Sequence, residues 1–419
     1  MTTPSPADAR DTELAAQYEA YPYPERDPRD ESKRLLIGSP SHLREIDYWV
    51  FGARRPRNQP LRALVAGCGT GDGAIMLATQ MARVNRPGEV VCLDRSSQAL
   101  SIAKARAEAR DLPNIRFVQG SLIDLETLNL ELFDYIDCCG VLHHLPDPAA
   151  TLKGLEQLLT PGGGMGLMVY APYGRTGVYM MQEALEHLTP FSEPPTSRLD
   201  IAKRVMRHLP ATAWLHQNGN FGDHLNGGNA GLYDLILNPR DRAYTIADFL
   251  DLLESTGLES SCLMEPARYD PALFLPDPKL RQRVEHMNWR DKAIVAEALT
   301  GNMATHVAYV VRKDERIVPP NADDTAAIPI MREIPGIELA KQILPNCTLP
   351  FSFGTLVVPV PLPTAARSIL PLIDGERTVG DLAASMAERG MSENKFFTVW
   401  KELFSTLESL NRVLLRSAI

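Results

Sequence analysis

This sequence of 419 residues has few cysteines and no long apolar run, and both shortages exclude classes of protein. Its six cysteines form no C-x-x-C pair, which disfavours a disulfide framework or a zinc knuckle. They are interpreted as small buried apolar residues in a reducing compartment. The N-terminus lacks the basic start and apolar stretch of a secretory signal, and no run is long enough to cross a bilayer. We therefore predict a cytoplasmic protein without a membrane span.

Basic residues are too few to suggest a nucleic-acid surface. Lys and Arg number 43 against 52 Asp and Glu, so the formal net charge is -9. A nucleic-acid site would need a local basic patch working against that field, and none is evident. The composition, with 44% hydrophobic and 23% charged residues, is that of an ordinary globular protein. At roughly 150 residues per domain, this length predicts about two to three domains.

Short apolar runs alternate with helical patterns from residue 61 onward. This alternation predicts an α/β fold with a parallel sheet covered by helices on both faces. The predicted strands are Leu61–Ala66, Glu89–Leu93, Ile115–Val118, Tyr135–Cys139, Met165–Tyr170, Leu258–Met264 and His306–Val311. The predicted helices are Ala74–Ala82, Ser97–Ala109, Ala149–Leu159 and Ile246–Ser255, the last with Thr245 as its N-cap.

Breaks in this alternation predict the domain boundaries. Residues 1–34 are polar and rich in proline, which predicts an N-terminal arm before a domain spanning 35–312. Within that domain, 171–244 interrupts the pattern with prolines and a Gly/Asn-rich stretch, and is predicted to be an insertion that acts as a substrate lid. A linker is predicted at 313–330. Residues 331–419 predict a small α+β domain of winged-helix-like order, suited to packing, dimerisation or peptide docking rather than DNA reading.

The stretch LRALVAGCGTGDG (61–73) places Gly67, Gly69 and Gly71 between a strand and a helix. Chain reversal there needs positive φ, and a ligand must approach bare backbone. The dinucleotide-binding pattern G-x-G-x-x-G fails, because its last position counted from Gly67 is Asp72. Asp94 closes the next strand 27 residues after Gly67, where a carboxylate can accept hydrogen bonds from both hydroxyls of a ribose. Together these features predict a nucleoside site.

Five segments resemble the class I S-adenosylmethionine-dependent methyltransferases. They are AGCGTG (66–71), VVCLD (90–94), QGSLID (119–124), FDYIDCCGVLHHLPDP (133–148) and LLTPGGGMGL (158–167). The part VLHHLPDP is most similar to the branch that includes quinone-biosynthesis methyltransferases. The resemblance implies a Rossmann-like seven-stranded sheet and S-adenosylmethionine as the cofactor.

The resemblance also implies the cofactor-binding residues. Gly67, Gly69 and Gly71 would pass under the methionine part of the cofactor, Asp94 would hold the ribose, and Ser121 and Leu122 would flank the adenine.

This sequence departs from the family pattern at two positions. Many relatives carry an acid two residues before the first glycine, where this chain has Val65. The acid often found after the third strand is replaced by Ser121, so adenine recognition would rely more on backbone groups. Tyr18 and Tyr23 of the arm are predicted to close over the cofactor and face its sulfonium by cation-π attraction. The alternative is that they only attach the arm to the core.

Methyl transfer from a sulfonium is an in-line displacement that depends mainly on positioning, and a base is needed only where the acceptor must lose a proton. His143 and His144 follow the fourth strand, and one of them is predicted to be that base. The alternative is that one packs under the sheet edge while the other bonds to backbone. Tyr173 is a further catalytic candidate, and Arg175 and His224 are candidates for substrate binding. No metal site is predicted.

Two functions of different classes are compatible with these patterns. The first is transfer of a methyl group to a nitrogen or oxygen acceptor on a protein side chain or a small metabolite. The extra C-terminal part favours a protein acceptor, since its layout resembles that of some bacterial protein lysine methyltransferases, and a homodimer is an allowed assembly. The second is a non-catalytic methyltransferase-fold module with a binding or regulatory role. A nucleic-acid partner is not expected.

Overall fold

A seven-stranded mixed sheet organises residues 61–312. Its strand order is β3-β2-β1-β4-β5-β7-β6. The first five strands pair in parallel, as predicted, and β7 runs antiparallel to its neighbours β5 and β6. The strands are β1 (Leu61–Ala66), β2 (Gly88–Asp94), β3 (Ile115–Gln119), β4 (Phe133–Cys139), β5 (Leu159–Tyr170), β6 (Leu258–Leu263) and β7 (Thr305–Arg312).

The computed structural model describes residues 6–417, with side chains from residue 10 onward. The first five residues of the predicted arm and the last two of the chain lie outside the described residues. The first helices along the chain are α1 (Pro6–Ala20), α2 (Leu43–Glu45, continued by a π-helix over Ile46–Val50), α3 (Asp72–Arg83), α4 (Ser97–Glu108) and α5 (Pro148–Gln157). Helix α3 packs on the sheet through the buried residues Ala74, Leu77, Ala78 and Met81, an i, i+3, i+4, i+7 stripe.

The insertion at 171–244 is a helical bundle with its own apolar core. Its helices are α6 (Val178–Leu188), α7 (Pro195–Arg207), α8 (Trp214–Gln217), α9 (Asp223–Asn226) and α10 (Gly228–Ile236). Val178, Leu185, Leu199, Leu215 and Ile236 are among the residues of its core. The stretch 217–231 looks like a loop by composition, yet it contains α9 and the start of α10. Burial of the apolar side chains of α10 outweighs the low helix propensity of its glycines.

The chain then returns to the sheet and continues into a C-terminal region. Helices α11 (Ile246–Ser255), α12 (Pro278–Glu285) and α13 (Trp289–Thr300) precede β7. Thr245 caps α11 in a reciprocal pair with Asp248, as predicted. The C-terminal region contains β8 (Ile328–Met331), α14 (Gly336–Gln342), β9 (Thr348–Phe353), β10 (Leu356–Pro361), α15 (Ala366–Ile369), α16 (Val379–Ala387), α17 (Glu393–Ser409) and β11 (Val413–Arg416).

Strand β8 corrects the predicted linker at 313–330, because its first three residues fall inside that range. It pairs antiparallel with β11, and β9 pairs antiparallel with β10. The C-terminal region shares its apolar core with Tyr48 and Ala53 from the beginning of the chain. Across the described residues, no helix combines the length and apolarity that a membrane crossing requires.

The buried carboxylate of Glu45 joins the C-terminal region to the sheet. It accepts hydrogen bonds from Asn411 and from the Tyr309 hydroxyl, both at 2.7 Å, and it is paired with Arg332. Ser39, which precedes α2, donates to the same carboxylate at 2.7 Å. The segment before α2 is therefore fixed by groups from both ends of the chain.

Candidate active site

A cavity of about 730 Å³ lies at the carboxyl edge of the sheet. It is enclosed by the turn after β1, the tips of β2, β4 and β5, the arm, residues 36–41 and part of the insertion. Ligands of α/β sheets bind at this edge, and the volume is typical of a small-molecule or cofactor site.

The turn after β1 brings bare backbone to the cavity. Gly67 and Gly69 line it with φ of 78° and 51°, in the left-handed region. A Cβ on Gly67 would lie 2.6 Å from a methyl carbon of Val141, and a Cβ on Gly69 would lie 2.5 Å from the carbonyl oxygen of Tyr23. Both positions therefore require glycine for conformation and for space.

Gly71 is placed differently from the other two glycines. Its φ is 100°, and a Cβ there would lie 3.0 Å from the Cβ of Ala103 in α4. It is not among the residues that line the cavity. Its role is to start α3 and to let α3 pack closely on α4, which corrects the expectation that it lies under the cofactor.

Asp94 lies at the tip of β2 and faces the same cavity. Its Oδ2 accepts a hydrogen bond from the Gly69 N–H at 2.7 Å, and its Oδ1 accepts one from the Ser96 N–H at 2.9 Å. Burial raises the pKa of Asp94, and these two hydrogen bonds partly offset the rise. Because each carboxylate oxygen has a second acceptor position, both can still receive a ribose hydroxyl.

Ser121 and Leu122 line the cavity beyond the tip of β3. The Ser121 hydroxyl accepts a hydrogen bond from the Ile123 N–H at 3.2 Å, because it caps the short helical turn Leu122–Leu128. The structure thus brings both sequence-predicted adenine residues to the cavity, next to Asp94.

The arm covers this part of the cavity. Tyr18 and Tyr23 both line it, and the Tyr18 hydroxyl donates to Asp234 of α10 at 2.9 Å. The Thr70 hydroxyl in the glycine turn donates to the Pro24 carbonyl at 2.7 Å. Burial raises the pKa of both tyrosines, which keeps them neutral phenols. The arm thus connects the glycine turn to the insertion.

The two histidines after β4 have different environments. His143 is 1% exposed and stacks on Tyr170, and its Nδ1 accepts from the Tyr170 N–H at 3.4 Å. Burial lowers the pKa of His143 well below its usual range. His144 lines the cavity, and its Nδ1 lies 2.6 Å from the carbonyl oxygen of Arg240. That carbonyl can only accept, so in the neutral ring Nε2 of His144 is the acceptor nitrogen.

The sequence-predicted acceptor residues separate into two groups. Arg175 is buried and lines the cavity, where its guanidinium lies 3.6 Å from the ring centre of Tyr170 and 3.3 Å from an oxygen of Asp241. Tyr173 is 44% exposed and His224 lies beside Phe221, and neither lines the cavity. The turn after β5 directs Arg175 inward and Tyr173 outward, and α9 presents Asp223 to the cavity in place of His224.

Sequence reasoning missed two cavity groups, Asp137 and Ser41. The Ser41 hydroxyl donates a short hydrogen bond to the Asp137 carboxylate. A signal for Asp137 was present, since it is an acidic residue inside the apolar run of a buried strand. Ser41 had no such signal, because its position depends on how the segment before α2 folds back over the sheet.

His143, His144 and Asp241 also form a cluster. Their potential ligand atoms lie within 4.8 Å of one another. However, His144 already uses Nδ1, and the Arg175 guanidinium next to Asp241 opposes a second cation. These contacts disfavour a metal centre at this cluster.

Comparisons with known proteins indicate a methyltransferase domain. Residues 58–189 match the model of a methyltransferase domain. The ubiquinone biosynthesis O-methyltransferase of Acinetobacter baylyi is 29% identical over 153 residues, which are 36% of this chain and 60% of that enzyme. PKMT2 from Rickettsia typhi, solved in complex with AdoHcy, superposes with a TM-score of 0.62 at 16% identity, over 90% of this chain and 75% of that one. Residues 58–189 are therefore a methyltransferase domain, and the fold around them is that of the class I S-adenosylmethionine-dependent methyltransferases.

A longer match comes from an uncharacterized protein of Synechococcus sp. It is 30% identical over 281 residues, which are 66% of this chain and 65% of that protein. The chain thus spans 65% and 60% of the two curated relatives. The likeness to PKMT2 shows that the fold, including most of the C-terminal region, recurs at low sequence identity.

The cavity-lining residues at the carboxyl edge of the sheet fit S-adenosylmethionine as the cofactor. Gly67 and Gly69 line the cavity with backbone alone, as expected where a ligand must pass close to backbone. Asp94 faces the cavity with acceptor positions left on both oxygens. Gly67, Gly69, Asp94, Ser121 and Leu122 are thus the described residues placed to hold it.

Proposed function

We propose that this protein transfers a methyl group from S-adenosylmethionine to a nitrogen or oxygen acceptor on a protein side chain or a small metabolite. One observation carries the proposal: a single cavity joins the glycine turn and Asp94 to polar groups of the arm and the insertion. A cofactor held at the first end would direct its methyl group toward an acceptor held at the second.

The chain contributes mainly positioning to this reaction. When bound, S-adenosylmethionine would supply an electrophilic methyl group: an acceptor lone pair would bond to the methyl carbon as the C–S bond breaks, and S-adenosylhomocysteine would leave with that electron pair. Asp94 would fix the ribose and Gly67 and Gly69 the methionine part, and alignment alone accounts for much of the acceleration in reactions of this kind. His144 is the cavity-lining imidazole whose Nε2 can take a proton from the acceptor. His143 is buried outside the cavity and stacks on Tyr170, so it would hold the Tyr170 ring against the cavity.

The charge at the acceptor end supports a basic or neutral acceptor over an acidic one. Asp223 and Asp234 line this end, and burial raises the pKa of Asp223. The arginines that line the cavity are each paired with a carboxylate: Arg175 with Asp241, Arg26 with Asp72 and Arg95 with Asp11. An amine or a hydroxyl suits such a chamber, since a carboxylate acceptor would meet carboxylates of the same sign.

Two measurements on the full chain test the proposal. Calorimetry with S-adenosylhomocysteine should show saturable one-site binding, and its absence from the folded protein would end the proposal. Labelled S-adenosylmethionine should then be incubated with a cell lysate that is separated into protein, RNA and small-molecule fractions. Label in the protein or the small-molecule fraction supports transfer and identifies the acceptor class. Binding without transfer to any fraction would instead support the non-catalytic module.

The His144→Gln variant tests the base within the same assay. It should retain the affinity for S-adenosylhomocysteine and lose turnover by roughly 100-fold if the acceptor must lose a proton during transfer. Tyr173→Phe is the matched control, because Tyr173 lies outside the cavity and should leave turnover unchanged.

A further inference from the structure

Among the residues that the structure describes, Asp137 in β4 is a buried carboxylate without a cationic partner. It is 1% exposed and lines the cavity. Its Oδ2 accepts from Ser41, and its Oδ1 has no hydrogen-bond partner within the part of the chain that the structure describes. Burial raises the pKa of Asp137 to about 7, and the Cys139 backbone N–H only partly offsets the rise in pKa. A buried carboxylate with an unsatisfied oxygen is costly unless a ligand completes it.

The register of the sheet places Asp137 beside Val65. The two residues are directly paired in the parallel strands β4 and β1, so their side chains lie on the same face of the sheet. Val65 is where many relatives of this family carry an acid. The carboxylate therefore lies one strand away from that position, on β4 instead of β1.

Gly73 leaves the space that the carboxylate occupies. A Cβ on Gly73 would lie 2.9 Å from Oδ2 of Asp137 and 2.7 Å from the Ser41 hydroxyl oxygen. Its φ is not in the left-handed region, so close approach rather than backbone conformation explains the glycine. The first turn of α3 is thus shaped around the Asp137–Ser41 pair.

The strand order gives the direction in which a bound cofactor must extend. Asp94 lies on β2 and the predicted adenine residues follow β3, so a bound adenosine would occupy one side of β1. The opposite side of β1 is β4, which carries Asp137. Adjacent strands are about 4.8 Å apart, so the tips of β2 and β4 are roughly 10 Å apart, a span suited to the distance from ribose to amino-acid end.

We propose that Asp137 binds the α-ammonium group of S-adenosylmethionine. This inference rests on the proposed function. The ammonium brings three N–H donors and a positive charge, which together satisfy Oδ1 and neutralise the carboxylate. The sulfonium carries a charge but no donor, so it cannot complete the hydrogen bonding of Oδ1.

The test compares S-adenosylhomocysteine with its deaminated analogue by calorimetry at pH 8. The wild-type chain should bind S-adenosylhomocysteine roughly 10- to 100-fold more tightly, the effect expected of a hydrogen bond between charged groups. Asp137→Asn keeps an acceptor for Ser41 and should remove this preference, while its affinity for the deaminated analogue stays within about threefold of wild type. Asp134→Asn, an acid-to-amide change on the same strand away from the cavity, should keep the preference.

The carboxylate can also be moved back to β1. The double variant Val65→Asp/Asp137→Asn should regain part of the preference, because the paired register places the new carboxylate beside the old position. Equal wild-type affinities for the two ligands would overturn the inference without the need for any variant. An unchanged preference in Asp137→Asn, or an equal loss for both ligands, would also overturn it. If the wild type bound neither ligand, the proposed function itself would fail.

Discussion

The two ends of the cavity are built in different ways. The cofactor end is built around the backbone of the glycine turn and the tips of neighbouring strands, with Gly67, Gly69 and Asp94 among its residues. The acceptor end consists of side chains from the arm and the insertion, which are far apart in sequence. They include Arg175, Asp223 and Asp234, and Tyr18 and Tyr23 of the arm connect this end to the glycine turn. Damage at the first end should therefore abolish cofactor binding, whereas damage at the second should affect stability and the acceptor.

The largest effect should come from Gly69→Ala at the cofactor end. The new Cβ would lie 2.5 Å from the Tyr23 carbonyl oxygen, so either the arm or the turn must move. Affinity for S-adenosylhomocysteine, measured by calorimetry, should fall at least roughly 100-fold. Gly257→Ala is the matched control, because Gly257 also has positive φ but open space around its Cβ position, and it should keep the affinity. Equal losses in both variants would show that backbone strain alone explains the effect.

Arg175→Met should have the next largest effect, at the acceptor end. It leaves the fully buried Asp241 carboxylate without its ion-pair partner. The free energy of unfolding should fall by roughly 3–5 kcal/mol, as measured by urea denaturation. Tyr173→Phe, three residues from the end of β5, should stay within about 0.5 kcal/mol of wild type. If Arg175→Met were equally mild, the acceptor end would not depend on this buried pair.

The free energy of unfolding should depend on pH through Asp137, on the β4 side of the cavity. The pKa of Asp137 is raised to about 7 in the folded chain, so the folded state holds a proton that the unfolded state releases near pH 4. Stability from this group is present at low pH and is lost as the pH rises to 7. Burial raises the pKa values of the neighbouring Tyr135, Cys138 and Cys139, so they stay neutral in this range.

Asp137→Asn removes this titration. By urea denaturation without ligand, the variant should be more stable than wild type by roughly 2–4 kcal/mol at pH 8 and by much less at pH 5. A stability difference that does not change between these two pH values would contradict the assignment of the titrating group.

The smallest effect should come from the contact between the C-terminal region and the insertion. The Thr355 hydroxyl, at the turn between β9 and β10, donates to the Asn220 side chain at 2.6 Å. Because this contact is exposed, Thr355→Val should change stability by no more than about 0.5 kcal/mol and leave S-adenosylhomocysteine binding unchanged. KM for the acceptor is the quantity to measure, since Asn220 lines the acceptor end. A loss of cofactor affinity would show that the two ends are coupled.

Local sequence signals predicted the cofactor end and much of the sheet. The bounds of β1 and α11 agree residue for residue with the prediction, because an apolar run ending in glycine and a Thr245 cap are both local signals. Gly67, Gly69 and Asp94 belong to the same continuous pattern. Each of these features is determined by neighbours in sequence.

The remaining features depend on contacts between distant residues. Strand β8 acquires its partner from β11, more than eighty residues later, so its own four residues carried little signal. Tyr173 and His224 were predicted to reach the cavity but do not line it. Composition does not show which side chains of a turn or a short helix point toward a cavity. Asp137 was missed because the sequence does not show which face of the sheet its side chain lies on. Its pairing with Val65 in the parallel strands gives that face.

A crystal structure of the full chain with S-adenosylhomocysteine tests the central claim most directly. The ribose hydroxyls should lie within hydrogen-bond distance of Asp94, with the adenine beside Leu122 and the thioether passing over the backbone of Gly67 and Gly69. A ligand bound elsewhere, with the glycine turn still closed by the arm, would contradict the account.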